Sequence, residues 1–255
     1  MKDITEKCIS DSIYLEHIEK PEELYNMKRA TQARIGIGRT GARYKTEVML
    51  SFFADQAAAS DAVSSEVEKE VVESLGVFEV KTRCNDKYEM LTRPDWGRVF
   101  EEDTQNYIKQ NCVMNPDVQI YFGDGLSAPS IQANIPELYP TIKKGLNDRG
   151  ITTGTPFFVR YCRVNTARTI GPLLQAKVVC VLIGERPGLS TSESMSAYIA
   201  YNARPEMSES DYTVVSNISK HGIPPLEAAS QIVDLIDLML QKKKSGIALK
   251  EEITL

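Results

Sequence analysis

The sequence predicts an α/β fold: a mostly parallel sheet layered with helices, preceded by a small helical region. Three observations carry this. From residue 76 onward, short apolar runs alternate with helical patterns, which is how crossover helices and parallel strands read in sequence. One run, KVVCVLIGE (177–185), is nearly all apolar, as a parallel strand buried on both faces must be. The first 75 residues are instead rich in strong helix formers. A chain of 255 residues holds one large or two small domains, and the change in pattern divides it into a helical domain over 1–75 and an α/β domain over 76–255.

The elements follow in order. PEELYNMKRATQAR reads as helix, with Pro21 in the first turn, where its missing N–H costs nothing. TEVMLSFFADQAAA puts Val48, Phe52 and Ala59 on one helical face, with Leu50 and Phe53 nearby. SDAVSSEVEKEVVESLG predicts a separate helix capped by Ser60 or Asp61 and stopped at Gly76. VFEVKTR alternates like a strand, and the short run YEML suggests its hairpin partner. TRPDWGRVFEEDTQNYIKQNC then predicts a helix starting near Pro94. DVQIYFGD is a strand followed by a glycine turn and a helix over 128–149. TPFFVRYCRV is the next strand, with a short helix over TARTIGPLLQ. After KVVCVLIGE come the strands SMSAYIAY and DYTVVSN. The closing helix, PPLEAASQIVDLIDLMLQKKK, spaces Leu226, Ala229, Val233, Ile236 and Leu240 at threes and fours. Its last turn carries lysines that suit a helix C-terminus.

Composition removes several function classes. A net charge of −5 argues against nucleic acid, whose phosphates need a basic face. No run approaches the roughly 20 apolar residues that span a bilayer. The polar start MKDITEKCISDSIYLEHIEK is not a secretory signal. The cysteines Cys8, Cys84, Cys112, Cys162 and Cys180 are odd in number, scattered and free of C-x-x-C, which suits a reducing cytoplasm and not zinc. With only His17 and His221, a His-rich metal site within this chain is excluded.

RIGIGRTGAR (34–43) contains Gly36, Gly38 and Gly41 at the G-x-G-x-x-G spacing of a dinucleotide site. That fingerprint needs a strand before it and an acidic residue at a strand end about 20 positions later. Here a helix precedes it and another helix occupies the later region, so the run reads as a basic connector between helices. Arg34, Arg39 and Arg43 then belong to an exposed or interfacial turn.

Ligands of open parallel sheets bind outside the carboxyl ends of the strands. Those ends are FGDGLS (122–127), RYCRVN (160–165), IGERPGLS (183–190) and VVSNISKHG (214–222), which should share one rim. The rim offers Asp124, Arg160, Arg163, Glu185 and Arg186 among several glycines. Glu185, in GERPGL, stands out: it is either ion-paired with a neighbouring arginine or held for a ligand. No nucleophile elbow or phosphate loop is present, and His221 lies in a loop with no acid partner, as a solvated or packing histidine does. The residues therefore describe a rim for a large ligand without chemistry of its own, which suggests a cofactor-holding subunit.

The chain resembles the small (light) subunits of ethanolamine ammonia-lyase. The segments that carry the likeness are ARIGIGRTGARYKT, LTRPDWGR, NPDVQIYFGDGLS, GTPFFVRYCRV, AKVVCVLIGERPGLSTSES and SNISKHGIPPLEAA with IVDLIDLML, in order from about residue 30 to 247. The resemblance implies a small helical N-terminal domain followed by a Rossmann-like domain. It implies adenosylcobalamin as cofactor, lying between this chain and the mouth of a TIM-barrel large subunit that binds substrate. It implies a hetero-oligomer of six large and six small chains in the cytoplasm, with bacterial microcompartments as a family association. Val164 in RYCRV and Glu185 in GERPGL match cobalamin contacts. A third contact, often a cysteine in the family, falls on Val214. Neither histidine sits in D-x-H-x-x-G, which agrees with a cofactor that keeps its own benzimidazole as lower ligand. The implied reaction is radical: ethanolamine gives acetaldehyde and ammonia, with the catalytic acid/base groups on the other chain. Two rival readings are a free-standing flavin or nicotinamide protein and a purely structural docking subunit.

Overall fold

The most apolar runs, 118–123 and 178–184, become strands buried on both faces. The computed structural model describes residues 12–31 and 33–254, with side chains to residue 252. Cys8 and the rest of 1–11 lie outside the described residues. The chain divides into two units: residues up to Asp61 with Gly188–Thr191, and Ala62–Pro187 with the remainder from Ser192.

The larger unit holds a mixed six-stranded sheet. Its strands are β3 (Phe78–Lys81), β4 (Val118–Gly123), β5 (Phe157–Arg160), β6 (Val178–Gly184), β7 (Met195–Tyr201) and β8 (Thr213–Ile218). Their spatial order is β3-β5-β4-β6-β7-β8. The pairs β3–β5, β5–β4 and β4–β6 are parallel, whereas β7 is antiparallel to both β6 and β8. Two reversals restore direction, so β8 runs the same way as β6. The sheet is thus mostly parallel, and the carboxyl ends of β4, β5, β6 and β8 lie on one side, as the sequence predicts.

Side-chain alternation along the strands divides the core. Ile120, Phe122, Cys180, Leu182, Ala197 and Ile199 pack with helices α6 (Pro129–Asp148) and α8 (Pro225–Lys242). Tyr121, Val179, Val181 and Ala200 face the other way, against α5 (Glu102–Asn111) and α7 (Ala167–Leu174). All of β6 is buried, as its composition requires.

Several predicted elements are corrected. YEML is not a strand: Lys87–Thr92 forms helix α4. Asp86 accepts the Glu89 N–H at 2.8 Å, and the Glu89 carboxylate accepts the Asn85 N–H at 2.8 Å, so local capping overrides strand propensity. β3 pairs instead with β5. The helix expected from Pro94 is a 3₁₀ turn at Trp96–Arg98 followed by α5; between them Val99 is extended and accepts from Arg83 N at 2.9 Å. Helix α2 (Thr46–Ser64) runs straight through Ser60 and Asp61, and α3 (Lys69–Ser74) begins after Glu68. Gly76 follows α3 at a φ of 65°, the expected stop. On α8 the buried stripe is Ala228, Ala229, Ile232, Val233, Ile236 and Met239, while Leu226 is 55% exposed. On α2, Val48 is buried but Leu50 and Phe53 are exposed.

In the smaller unit, α1 (Pro21–Arg29) and α2 are joined by the glycine run, as expected of a connector. Within it, β1 (Arg39–Thr40) and β2 (Arg43–Tyr44) form a minimal antiparallel hairpin. Gly36, Gly38 and Gly41 all have φ above 60°, and a Cβ on Gly38 would sit 2.4 Å from Tyr14 O. The glycines are thus explained by the turn. Arg34 pairs with Asp55 at 2.6 Å, Arg39 lies 4.9 Å from the Tyr44 ring centroid, and Arg43 donates to Thr46 at 3.0 Å.

Among the described residues, no helix is long and apolar enough to cross a membrane. The short closing helix α9 (Gly246–Thr254) anchors through Leu249, which joins the α6/α8 side of the core.

Candidate functional site

The carboxyl ends of the strands present two carboxylates in very different settings. Asp124 follows β4 and is buried with Lys87 of α4; their side chains are 1% and 6% exposed. Lys87 Nζ lies 3.3 Å from Asp124 Oδ2 and donates to Gly125 O at 2.8 Å. Asp124 Oδ1 accepts the Cys162 N–H at 2.8 Å, tying the end of β4 to the end of β5. Gly125, at a φ of 54°, leaves no room for a side chain: a Cβ there would meet Gly184 O at 2.2 Å. Asp124 is therefore a structural tie between strand ends.

Glu185 follows β6 and is only partly buried. Its Oε2 accepts from Ser194 Oγ at 2.5 Å, and its Oε1 accepts from Ser196 Oγ and from the Asn217 N–H, the latter at 2.8 Å. Among the described residues no arginine or lysine pairs with it, so the ion-pair alternative is overturned. Arg160 is held by Glu79, Arg163 donates to Met90 O at 2.8 Å, and Arg168 pairs with Glu209. Ser194 immediately precedes β7 and Ser196 lies within it, so the two share one face, and the reversal of β7 is what sets them beside Glu185.

The same face carries the other two sequence-predicted residues. Val164 opens a 3₁₀ turn after β5 and packs, half-buried, against the α5/α7 side of the core. Val214 is opposite Tyr198, which packs on that same side, and is 42% exposed. A chain of contacts joins them. Asn165 Oδ1 accepts from Tyr212 OH at 3.3 Å, and the Tyr212 ring meets the Tyr198 ring edge-on at 5.9 Å. Burial and the nearby Glu185 and Glu209 carboxylates raise the Tyr198 phenol. Val214 does not lie at the strand end, however. Through Tyr198 it is level with Val181, four residues before Glu185. The three residues therefore span a shelf on the sheet face as well as a rim.

Among the described residues, nothing on this shelf forms a proton-relay set. His221 is exposed in the Ser219–Gly222 turn. Cys84, Cys112, Cys162 and Cys180 are free and buried, and burial pushes every one of their thiols up, Cys112 to about 11 and Cys180 to about 12. Among the described residues no group of histidine, cysteine, aspartate and glutamate could hold a metal ion. A groove of about 760 Å³ opens elsewhere, at the β3 edge beside Glu66, Glu79 and Arg160.

Sequence reading missed Ser194, Ser196, Tyr198 and Asn217. The S-x-S alternation at the start of β7 carried part of the signal. Asn217 carried another part, since asparagine accepts the left-handed backbone better than most residues, and its φ is 59°.

Comparison with known proteins agrees with the resemblance read from the motifs. Residues 21–250 match the family model described as "Ethanolamine ammonia-lyase light chain (EutC)". The chain is 51% identical over 231 residues to the ethanolamine ammonia-lyase small subunit of Clostridium acetobutylicum, covering 91% of this chain and 96% of that protein. It is 48% identical to the small subunit of Clostridium perfringens, over 97% of this chain and 84% of that protein. It is 46% identical to the small subunit of Listeria monocytogenes, over 97% of this chain and 85% of that protein. The chain belongs to the ethanolamine ammonia-lyase light chain family.

Proposed function

We propose that this chain, as a light chain of that family, is the small subunit of an adenosylcobalamin-dependent lyase that converts ethanolamine to acetaldehyde and ammonia. Its partner is a TIM-barrel large subunit, assembled as six large and six small chains, in the cytoplasm or a bacterial microcompartment. The same reading keeps a helical N-terminal domain over residues 1–75 and a Rossmann-like domain over 76–255. Val164, Glu185 and Val214 are the cofactor-facing residues.

The observation that carries the reading is the setting of Glu185. Among the described residues Glu185 is held by neutral donors alone, and a carboxylate has about four acceptor positions, of which the protein fills three. The remaining position suits an N–H donor. Cobalamin is rimmed with carboxamides and has broad apolar surface, so an acceptor on the same face of the sheet as an exposed valine and a half-buried one fits it. When bound, adenosylcobalamin supplies radical chemistry that no side chain can. The chain's own residues bind and orient: Glu185 accepts from the ligand edge, Val164 and Val214 exclude water, and the Asp124–Lys87 tie fixes the strand ends behind them. No proton transfer falls to this chain.

Visible absorbance tests the reading. This chain and a large subunit, together and apart, are titrated with adenosylcobalamin before and after ethanolamine is added. The expected result is tight cofactor binding and cobalt–carbon cleavage by the pair alone. Equal binding and turnover by the large subunit alone would make this a structural docking subunit. Flavin or nicotinamide bound by this chain alone would make it a free-standing redox protein.

A further inference from the structure

We propose that Glu185 is a positioning residue as well as a ligand acceptor: its carboxylate clamps a bulge in β8 and thereby sets the exposed face of that strand. Ser194 and Ser196 hold the clamp. The proposal rests on the cofactor reading of this shelf.

The bulge is visible in the register. Met195 is opposite Ile218, but Ala197 is opposite Val215, so Ser196 faces two residues, Ser216 and Asn217. A bulge leaves its extra residue outside the ladder, and an unpaired backbone N–H there is costly. Asn217 is that residue, with left-handed backbone. Its N–H donates to Glu185 Oε1, the same oxygen that takes the Ser196 hydroxyl from the facing strand. One oxygen thus bridges both sides of the bulge. The other oxygen is fixed by Ser194, whose hydroxyl also lies 3.5 Å from Asn217 Oδ1. Ser194 and Ser196 are 7% and 1% exposed, so their hydroxyls have little recourse to water. Beyond the bulge, Asn217 O accepts the Ile223 N–H at 2.9 Å, closing the turn into α8. The clamp therefore fixes three things together: the end of β6, the start of β7 and the last turn of β8.

This differs from a carboxylate waiting for ligand. If Glu185 only met the cofactor, the serines would be bystanders. If it positions β8, removing the hydroxyls disturbs the cofactor site although neither serine need touch the ligand. Glu185→Gln separates the cases further. Its amide oxygen can stand in for Oε1, and its NH₂ can donate to Ser194, whose hydroxyl can accept.

The test uses the assembled complex of this chain with its large subunit. Backbone amide exchange is followed for residues 213–219, and KM for adenosylcobalamin is measured separately from kcat. Ser194→Ala/Ser196→Ala is expected to speed exchange of the Asn217 amide and to raise that KM roughly tenfold, with a much smaller change in kcat at saturating cofactor. Ser196→Ala alone gives a smaller shift in the same direction and serves if the double variant fails to assemble. Glu185→Gln is expected to keep the Asn217 amide protected, whereas Glu185→Ala exposes it. Unchanged exchange in Glu185→Ala, or an unchanged KM in the double serine variant, overturns the clamp. If instead the unmodified complex binds the cofactor no better than the large subunit alone, the cofactor reading fails, while the exchange measurements still judge the clamp.

Discussion

The two carboxylates at the strand ends, Asp124 after β4 and Glu185 after β6, solve the same problem in opposite ways. Asp124 sits where the sheet is covered, and a lysine neutralises it inside the protein. Glu185 sits where the face is open, and two hydroxyls and an amide hold it without cancelling its charge. Burying a charge without a partner is prohibitive, so the covered end needs its cation. At the open end no cation pairs with Glu185 among the described residues. The difference teaches that burial decides which carboxylate needs a cation inside the protein and which is held by neutral donors alone.

The largest effect should come from breaking the buried pair. Lys87→Met strands Asp124 and is expected to cost about 3–5 kcal/mol in urea denaturation, whereas Lys87→Met/Asp124→Asn regains much of that. Glu185→Gln should cost no more than about 1 kcal/mol, because neutral donors tolerate an amide. Equal losses in the two single variants would erase the contrast. Gly125→Ala comes next. Its Cβ would press on Gly184 O and its φ is positive, so a loss of about 1–3 kcal/mol is expected in the same assay.

A third carboxylate sharpens the comparison by pH. Asp117, before β4, is partly buried; burial opposes its ionisation, but Lys177 and Thr152 outweigh that and hold it down to about 2. A carboxyl depressed in the folded state binds fewer protons there than when unfolded. Its contribution is full above the unfolded value near 4 and is lost as pH falls through about 2. Asp117→Asn should flatten the stability profile in that acid window alone, as read by denaturation at stepped pH. The smallest effect belongs to Val214→Cys, on the exposed side of β8, which should change stability by less than about 0.5 kcal/mol.

Much of the fold was legible because burial writes itself into composition. The run in β6 could be only a covered strand, and the spacing on α8 placed Ala229, Val233 and Ile236 correctly. Leu226 was misplaced because periodicity gives a face but not where the neighbouring layer ends. α4 was misread because capping by Asp86 and Glu89 is a matter of two hydrogen bonds, not of hydrophobicity. GERPGL showed Glu185 as a carboxylate at the end of a strand, but its partners were not visible. They arrive only because β7 reverses and β8 bulges, and strand direction leaves no mark on a short apolar run.

The four buried thiols have a consequence for following this molecule in solution. A thiolate attacks electrophiles and a thiol barely does, so burial that raises these groups also silences them at neutral pH. Cys180 lies in the central strand β6, Cys162 beyond the end of β5, Cys112 at the end of α5 and Cys84 before α4. Once Cys8 is replaced by serine, a maleimide added to the folded chain can react at these four only when its stretch of chain opens. The order in which they are labelled is then a clock, ticking at four separate places, for how the sheet comes apart.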